Sequence, residues 1–166
     1  MADKETNPIR QTDDAARTLA RGLIADARFG ALGVIDPETG APMVTRVAVG
    51  TQADGQPVTL ISDLSQHTRA LKARAECSLL VGEPAAKGDP LTHPRLTLQC
   101  TAAFLRQGDD GYDALRARYL QEHPKSKLYI DFADFSFAVL GIDKAFLNGG
   151  FGKAFVLTTE DLSPAP

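Results

Sequence analysis

Cysteine is scarce, and that narrows the chemistry first. The two cysteines among 166 residues, Cys77 and Cys100, are too few for a disulfide scaffold, and their spacing fits neither a metal knuckle nor a redox pair. Both lie in apolar, strand-like runs, the setting of buried thiols in a reducing compartment; a bridge between neighbouring strands would require an oxidising one. Histidine is also scarce, with three residues. His93 precedes Pro94 in a loop and His123 ends a helix before Pro124, neither with metal-ligating company, so no metal site is expected. No apolar run reaches the length needed to span a bilayer, and the polar start Met1–Pro8 has no hydrophobic segment of a secretory signal. A cytoplasmic protein without a membrane partner is expected. An excess of positive charge is missing too: 18 basic residues stand against 21 acidic ones, for a net charge of −3. The basic residues are scattered, which excludes bulk binding of nucleic acid.

What remains is ordinary globular usage, 43% hydrophobic and 23% charged, in a chain of single-domain length able to bury a core. Residues 1–11 read as a flexible lead-in, 12–160 as one domain, and 161–166 as a frayed tail. Thr12-Asp13-Asp14 opens a helix whose apolar face is Leu19, Leu23, Ile24 and Ala27. Phe29–Ile35 reads as a buried strand and Asp36–Gly40 as a turn. Pro42–Val49 is a second strand, with Met43, Val47 and Val49 on one side and Val44, Arg46 and Ala48 on the other. A tight hairpin at Ala53–Gln56 leads to a third strand, Val58–Ser62. A helix over Gln66–Ala75, strands over Glu76–Gly82 and Arg95–Leu105, and a helix from Tyr112 that stops before Pro124 follow. Strands over Phe135–Leu147 and Phe151–Thr158 complete the chain. Hairpins outnumber strand–helix alternations, which predicts a mainly β (α+β), mostly antiparallel barrel with peripheral helices.

Two features point to a ligand. Ser62-Asp63-Leu64-Ser65-Gln66-His67-Thr68 carries a strand through a polar turn into a helix, with Ser65 placed to cap it. Free N–H groups, hydroxyls, an amide, an imidazole and Arg69 at one helix start suit a phosphate, although a plain capped helix has the same appearance. Arg46 lies on an otherwise apolar strand without a local partner, so it requires a rim position, an acid such as Asp63 across the sheet, or an anionic ligand. The two strands are sequence neighbours, so Arg46 and the 62–68 turn can converge on one dianion.

These stretches resemble the pyridoxamine 5'-phosphate oxidase-related, FMN-binding split-barrel proteins, most closely the branch associated with haem utilisation (HugZ-like). The matching residues are Pro42–Val49, Leu60–Leu71 with its His67-Thr68 pair, Cys77–Val81 and Arg95–Ala103. Further matches are Tyr119–Pro124, Asp131–Phe135 and Asn148–Ala154. The resemblance implies a six-stranded antiparallel split β-barrel and a homodimer with FMN at the subunit interface. It assigns FMN contacts to Arg46, Val47, Ala48, Ser62, Ser65, Gln66, His67 and Thr68, and to Lys153 from the second subunit. Pyridoxamine 5'-phosphate oxidases carry a C-terminal Arg-x-His group; this chain has no histidine after His123, so vitamin B6 oxidation is not expected. The extra C-terminal segment that supplies an axial histidine in haem-utilising relatives has no counterpart before Pro166. The main expectation is an FMN-dependent oxidoreductase acting on a small-molecule substrate, the flavin carrying the electrons. Haem binding or degradation is the alternative, and a non-catalytic flavin carrier the third reading.

Overall fold

Alternation of small or apolar residues with open ones decides the sheet. In a computed structural model describing residues 7–164, strand β1 (Ile9–Arg10) is followed by helix α1 (Asp14–Asp26), β2 (Phe29–Ile35), β3 (Pro42–Ala48), β4 (Gly50–Thr51) and β5 (Pro57–Ser62). Helix α2 (Gln66–Ala73), β6 (Glu76–Val81), β7 (Arg95–Leu105), α3 (Tyr112–Glu122), β8 (Phe135–Asn148), β9 (Ala154–Thr158) and the short α4 (Thr159–Leu162) complete the order. In β2, β6 and β7 every second side chain is buried, the pattern of a sheet with one dry face.

The strands run β1-β9-β8-β7-β6-β2-β3, with β5 on the free edge of β8 and β4 on β5. β8 is the spine: β7 pairs along one edge, while β5 and β9 divide the other. Register places Leu32 opposite Leu79, Leu79 opposite Leu98, Leu98 opposite Ala145, and Ala145 opposite Leu157. All five are fully buried, so one apolar row crosses five strands, each leucine contributing about 1.5–3 kcal/mol by leaving water. α1 covers one end of this core with Ala16, Ala20 and Ile24. A second cluster joins Val58, Leu60 and Phe137 on the far side of β5 and β8 to Tyr112, Leu115 and Tyr119 of α3.

The expected architecture holds as a mainly β, α+β fold, with differences in detail. The sheet has nine strands where six were expected, and β1 pairs with β9 in parallel. β3 and β5 approach each other without pairing, so the barrel is not closed. The lead-in is tied down from Ile9 by that pairing, although residues 1–6 lie outside the described set. The tail begins with a helical turn in which Thr158 and Asp161 form a reciprocal cap and Leu162 is buried; residues 165–166 lie outside the described set. The last strand starts at Ala154, because Gly150 and Gly152 adopt positive φ and turn the chain before it.

Candidate functional site

The two faces of β3 settle where the singled-out residues go. Met43, Thr45 and Val47 turn inward, while Val44, Arg46 and Ala48 turn to the outer face of the sheet. Thr45, not Arg46, meets the start of α2: its Oγ1 lies 3.1 Å from His67 Nδ1. Arg46 is exposed and lies over the Phe29 ring, with the guanidinium carbon 5.4 Å from the ring centre. Among the described residues it has no acidic partner. The alternative pairing with Asp63 is not formed; Asp63 instead binds Lys72 at 2.8 Å and Arg106 at 3.7 Å.

The 62–68 corner is braced by side-chain bonds of its own. Ser65 stands at the N-cap position of α2, but its hydroxyl makes no capping bond. The Ser62 hydroxyl donates to Asp134 Oδ2 at 2.5 Å and accepts from the Leu64 N–H at 3.1 Å. The hydrogen bond from Lys72 holds the Asp63 carboxyl below its usual range, opposed by partial burial and aided by the charges of Lys72 and Arg106. Asp63 is therefore ionised at neutral pH and is balanced by the charges of Lys72 and Arg106. Burial holds His67 below the ordinary histidine range, so its ring is neutral. His67 Nε2 and Thr68 Oγ1 are buried without hydrogen-bond partners among the described residues. Gln66 is exposed, Val47 belongs to the core, and Ala48 is half-buried opposite Phe29. Lys153 is exposed in the turn before β9. A single chain thus brings Thr45, His67 and Thr68 together, but it does not bring Arg46 to them.

Arg46 instead flanks a cleft on the outer face. Its register row continues through Ala31, Leu80, Thr97 and Phe146. The small Ala31 lies between Arg46 and Leu80, and Gly33 lies between Val44 and Ser78, so the sheet is hollowed there. Gly30, one position along β2, has no room for a side chain: a Cβ would lie 2.8 Å from the Leu80 carbonyl oxygen. The resulting cleft holds about 440 Å³, with Phe29, Ala31, Val44 and Leu80 on its apolar side. Val44 is 68% exposed, an unusual position for a valine in the middle of a strand.

The loop between β6 and β7 forms the other wall. Gly82 turns it at φ +101°, where a Cβ would strike the Pro94 carbonyl oxygen at 2.6 Å. Asp89 caps a 3-10 turn over Pro90–Thr92. His93 braces the loop from within: Nδ1 accepts from the Ala85 N–H at 3.3 Å and Nε2 donates to the Lys87 carbonyl at 3.0 Å. Arg95 donates to the Leu91 carbonyl at 2.9 Å and lines the cleft beside Pro84, Pro90 and Leu91. The cleft therefore has an apolar bed flanked by two guanidinium groups, Arg46 and Arg95, neither paired with a carboxylate among the described residues. A neighbouring hollow of about 540 Å³ shares Val44 but holds the carboxylates Glu76 and Asp143, with Arg74 bound to Glu76 at 3.5 Å. That hollow is the poorer place for an anion. Arg95 and the loop escaped notice as site residues in the sequence. The one signal was a guanidinium at the outward parity of an apolar strand; its proximity to Arg46 depends on long-range register.

A curled, mostly antiparallel sheet with its gap between β3 and β5 and helices outside is the fold of the pyridoxine-phosphate-oxidase-like split barrels. A general stress protein 26-related structure from Clostridium acetobutylicum, described as pyridoxinephosphate oxidase family, superposes with a TM-score of 0.68 over 91% of this chain and 99% of that one. Its 14% identity makes this a likeness of fold alone. Over residues 10–163 the sequence matches the family described as CREG, beta-barrel, and the chain belongs to that family. It is 36% identical over 120 residues to the non-canonical heme oxygenase HOZ, chloroplastic, of Arabidopsis thaliana, covering 67% of this chain and 36% of the plant protein. It is 31% identical to the heme binding protein from Mycobacterium smegmatis, with a TM-score of 0.80 over 93% of this chain and 61% of that one. The chain thus spans about a third of the plant protein and three-fifths of the mycobacterial one. No helix among the described residues is long and apolar enough to cross a membrane.

Proposed function

We propose that this protein binds haem on the outer face of its sheet, in the cleft between β3 and the β6–β7 loop. The carrying observation is the apolar bed of Phe29, Ala31, Val44 and Leu80 flanked by the carboxylate-free arginines Arg46 and Arg95. Haem is a flat apolar ring with two carboxylates, and this arrangement offers an apolar surface to the ring and a cation to each propionate. The named relatives above 30% identity, a heme oxygenase and a heme binding protein, favour the same cofactor over the flavin expected from the sequence. Phe29, Val44 and Leu80 would hold the ring, and Arg46 and Arg95 would orient it and exclude the opposite placement of its acidic edge. Bound haem would supply oxygen activation when a reductant is present. The test is a haem titration of the purified protein: a Soret shift that saturates at one haem per chain supports the reading, and an unshifted spectrum defeats it. Ring opening in the presence of a reductant then separates an oxygenase from a haem carrier.

FMN bound by a homodimer is the second reading. It is favoured by the same exposed apolar sheet face, which also suits an isoalloxazine and which a second copy would cover. In it Arg46, Val47 and Ala48 contact the flavin from the strand, Arg46 sharing the phosphate with Ser62, Ser65, Gln66, His67 and Thr68, and Lys153 comes from the second copy. A visible flavin spectrum after incubation with FMN, together with a dimer mass in solution, supports it; a colourless monomer overturns it.

A further inference from the structure

The cleft offers a ring and two acids a place, but it offers iron almost nothing. Among the described residues lining it, none is a histidine, cysteine, tyrosine, methionine or lysine. His93 lies in the loop that walls the cleft, and both of its ring nitrogens are spent inside that loop, on the Ala85 N–H and the Lys87 carbonyl. His67 is bound to Thr45 on the opposite side of β3, and His123 Nε2 lies 2.8 Å from the Val49 carbonyl oxygen. Cys77 and Cys100 face each other in the core. Among the described residues, the one acidic side chain in the lining is Glu83, a carboxylate among mostly apolar and cationic neighbours.

We infer that the site recognises the planar dicarboxylate tetrapyrrole itself and not its metal, so that metal-free protoporphyrin binds as tightly as haem. The inference rests on the haem-binding reading and refines it. All contacts available in the cleft, apolar on the faces and cationic at the edge, are present equally in a porphyrin with or without iron. A protein that holds haem in this way would offer the iron no histidine, cysteine, tyrosine, methionine or lysine from the described lining of the cleft. It also retains a metal-free porphyrin, a ligand class that a histidine-ligating pocket disfavours by the lost coordinate bond.

The test compares ligands on the unmodified full chain. Metal-free protoporphyrin IX is titrated by its own fluorescence, and haemin by absorbance. The expected result is dissociation constants within about threefold of each other, with Arg46→Glu weakening both to the same extent. The haemin complex of the unmodified chain is expected to lack the low-spin bands that a histidine or thiolate ligand produces. Haemin binding tenfold or more tighter than the metal-free ring, or the appearance of those low-spin bands, would overturn the inference while leaving haem binding intact. Failure of both ligands to bind overturns the haem-binding reading and the inference with it.

Discussion

Reversing the charge of Arg46 is the sharpest perturbation of the cleft. The side chain is exposed, so its ion pair with a propionate contributes about 1 kcal/mol, the upper end for solvent-screened pairs. Phe29 beneath it holds the guanidinium in place, a contact of about 0.5–1 kcal/mol that reduces the cost of fixing the side chain. In Arg46→Glu the attraction is lost and a repulsion of similar size replaces it, for a total of about 2 kcal/mol, or roughly a 30-fold rise in the haem dissociation constant. The assay is a haem titration at about 0.02 M and about 1 M salt. Because the screening length falls to about 3 Å at the higher salt, the penalty is expected to shrink to a few-fold there. Arg46 has no acidic partner to lose among the described residues, so the urea midpoint should stay within about 0.5 kcal/mol of the parent. Lys125→Glu, in the 3-10 turn after α3, makes the same change in net charge and serves as control. A haem affinity unchanged within twofold at low salt, or an equal loss in Lys125→Glu, would refute the placement of the ligand against Arg46.

Three further outcomes follow from the packing. His67 is held neutral by burial, so the unfolded chain binds the extra proton: its contribution to stability is present above about pH 6.5 and is lost as pH falls below it, at no more than about 1.4 kcal/mol per pH unit. Urea midpoints from pH 7.5 to 5 should show this slope, and His67→Gln should flatten it; an unchanged slope in the variant would contradict the assignment. Phe137→Ala removes a fully buried ring that lies 5.6 Å from Tyr112 and 5.2 Å from Tyr119, and thermal or urea unfolding should register a loss of about 3–5 kcal/mol. Burial pushes the Cys77 thiol up to about 11 and Cys100 further in the same direction, so neither should react with a disulfide reagent at pH 8 until the protein is unfolded; rapid labelling of the native chain would count against the packing.

The contrast between Arg46 and Thr45 shows where sequence reading succeeds and stops. The alternation of β3 was readable, including the side on which Arg46 lies with Val44 and Ala48. Both faces carry apolar residues, so the pattern did not say which one turns to solvent, and proximity along the chain did not reveal that Thr45, on the other parity, is the residue that meets His67. The N-cap position of Ser65 was readable; the bonds of Ser62 to Asp134 and Leu64 were not, because Asp134 arrives from the turn before β8, 72 residues along the chain. β1 has two residues and no period to detect. The turn at Thr158–Asp161 did carry a signal, a hydroxyl and a carboxylate three apart, in a segment that composition alone made look frayed. The bed of the cleft was hidden for a different reason: Ala31, Leu80 and Arg46 become neighbours only through register between β2, β3 and β6.

The order in which the strands leave the ribosome sets a further condition on this architecture. β5 ends at Ser62, yet the long strand it pairs with begins only at Phe135. At about 5–20 residues per second, the nascent chain waits roughly 4–15 s for that partner. During this interval β5 has the two-residue β4 beside it, and the edge that β8 will cover stays open. The arrival of that one late strand closes the edge, and a chaperone that holds β5 apart until then would keep it from pairing elsewhere.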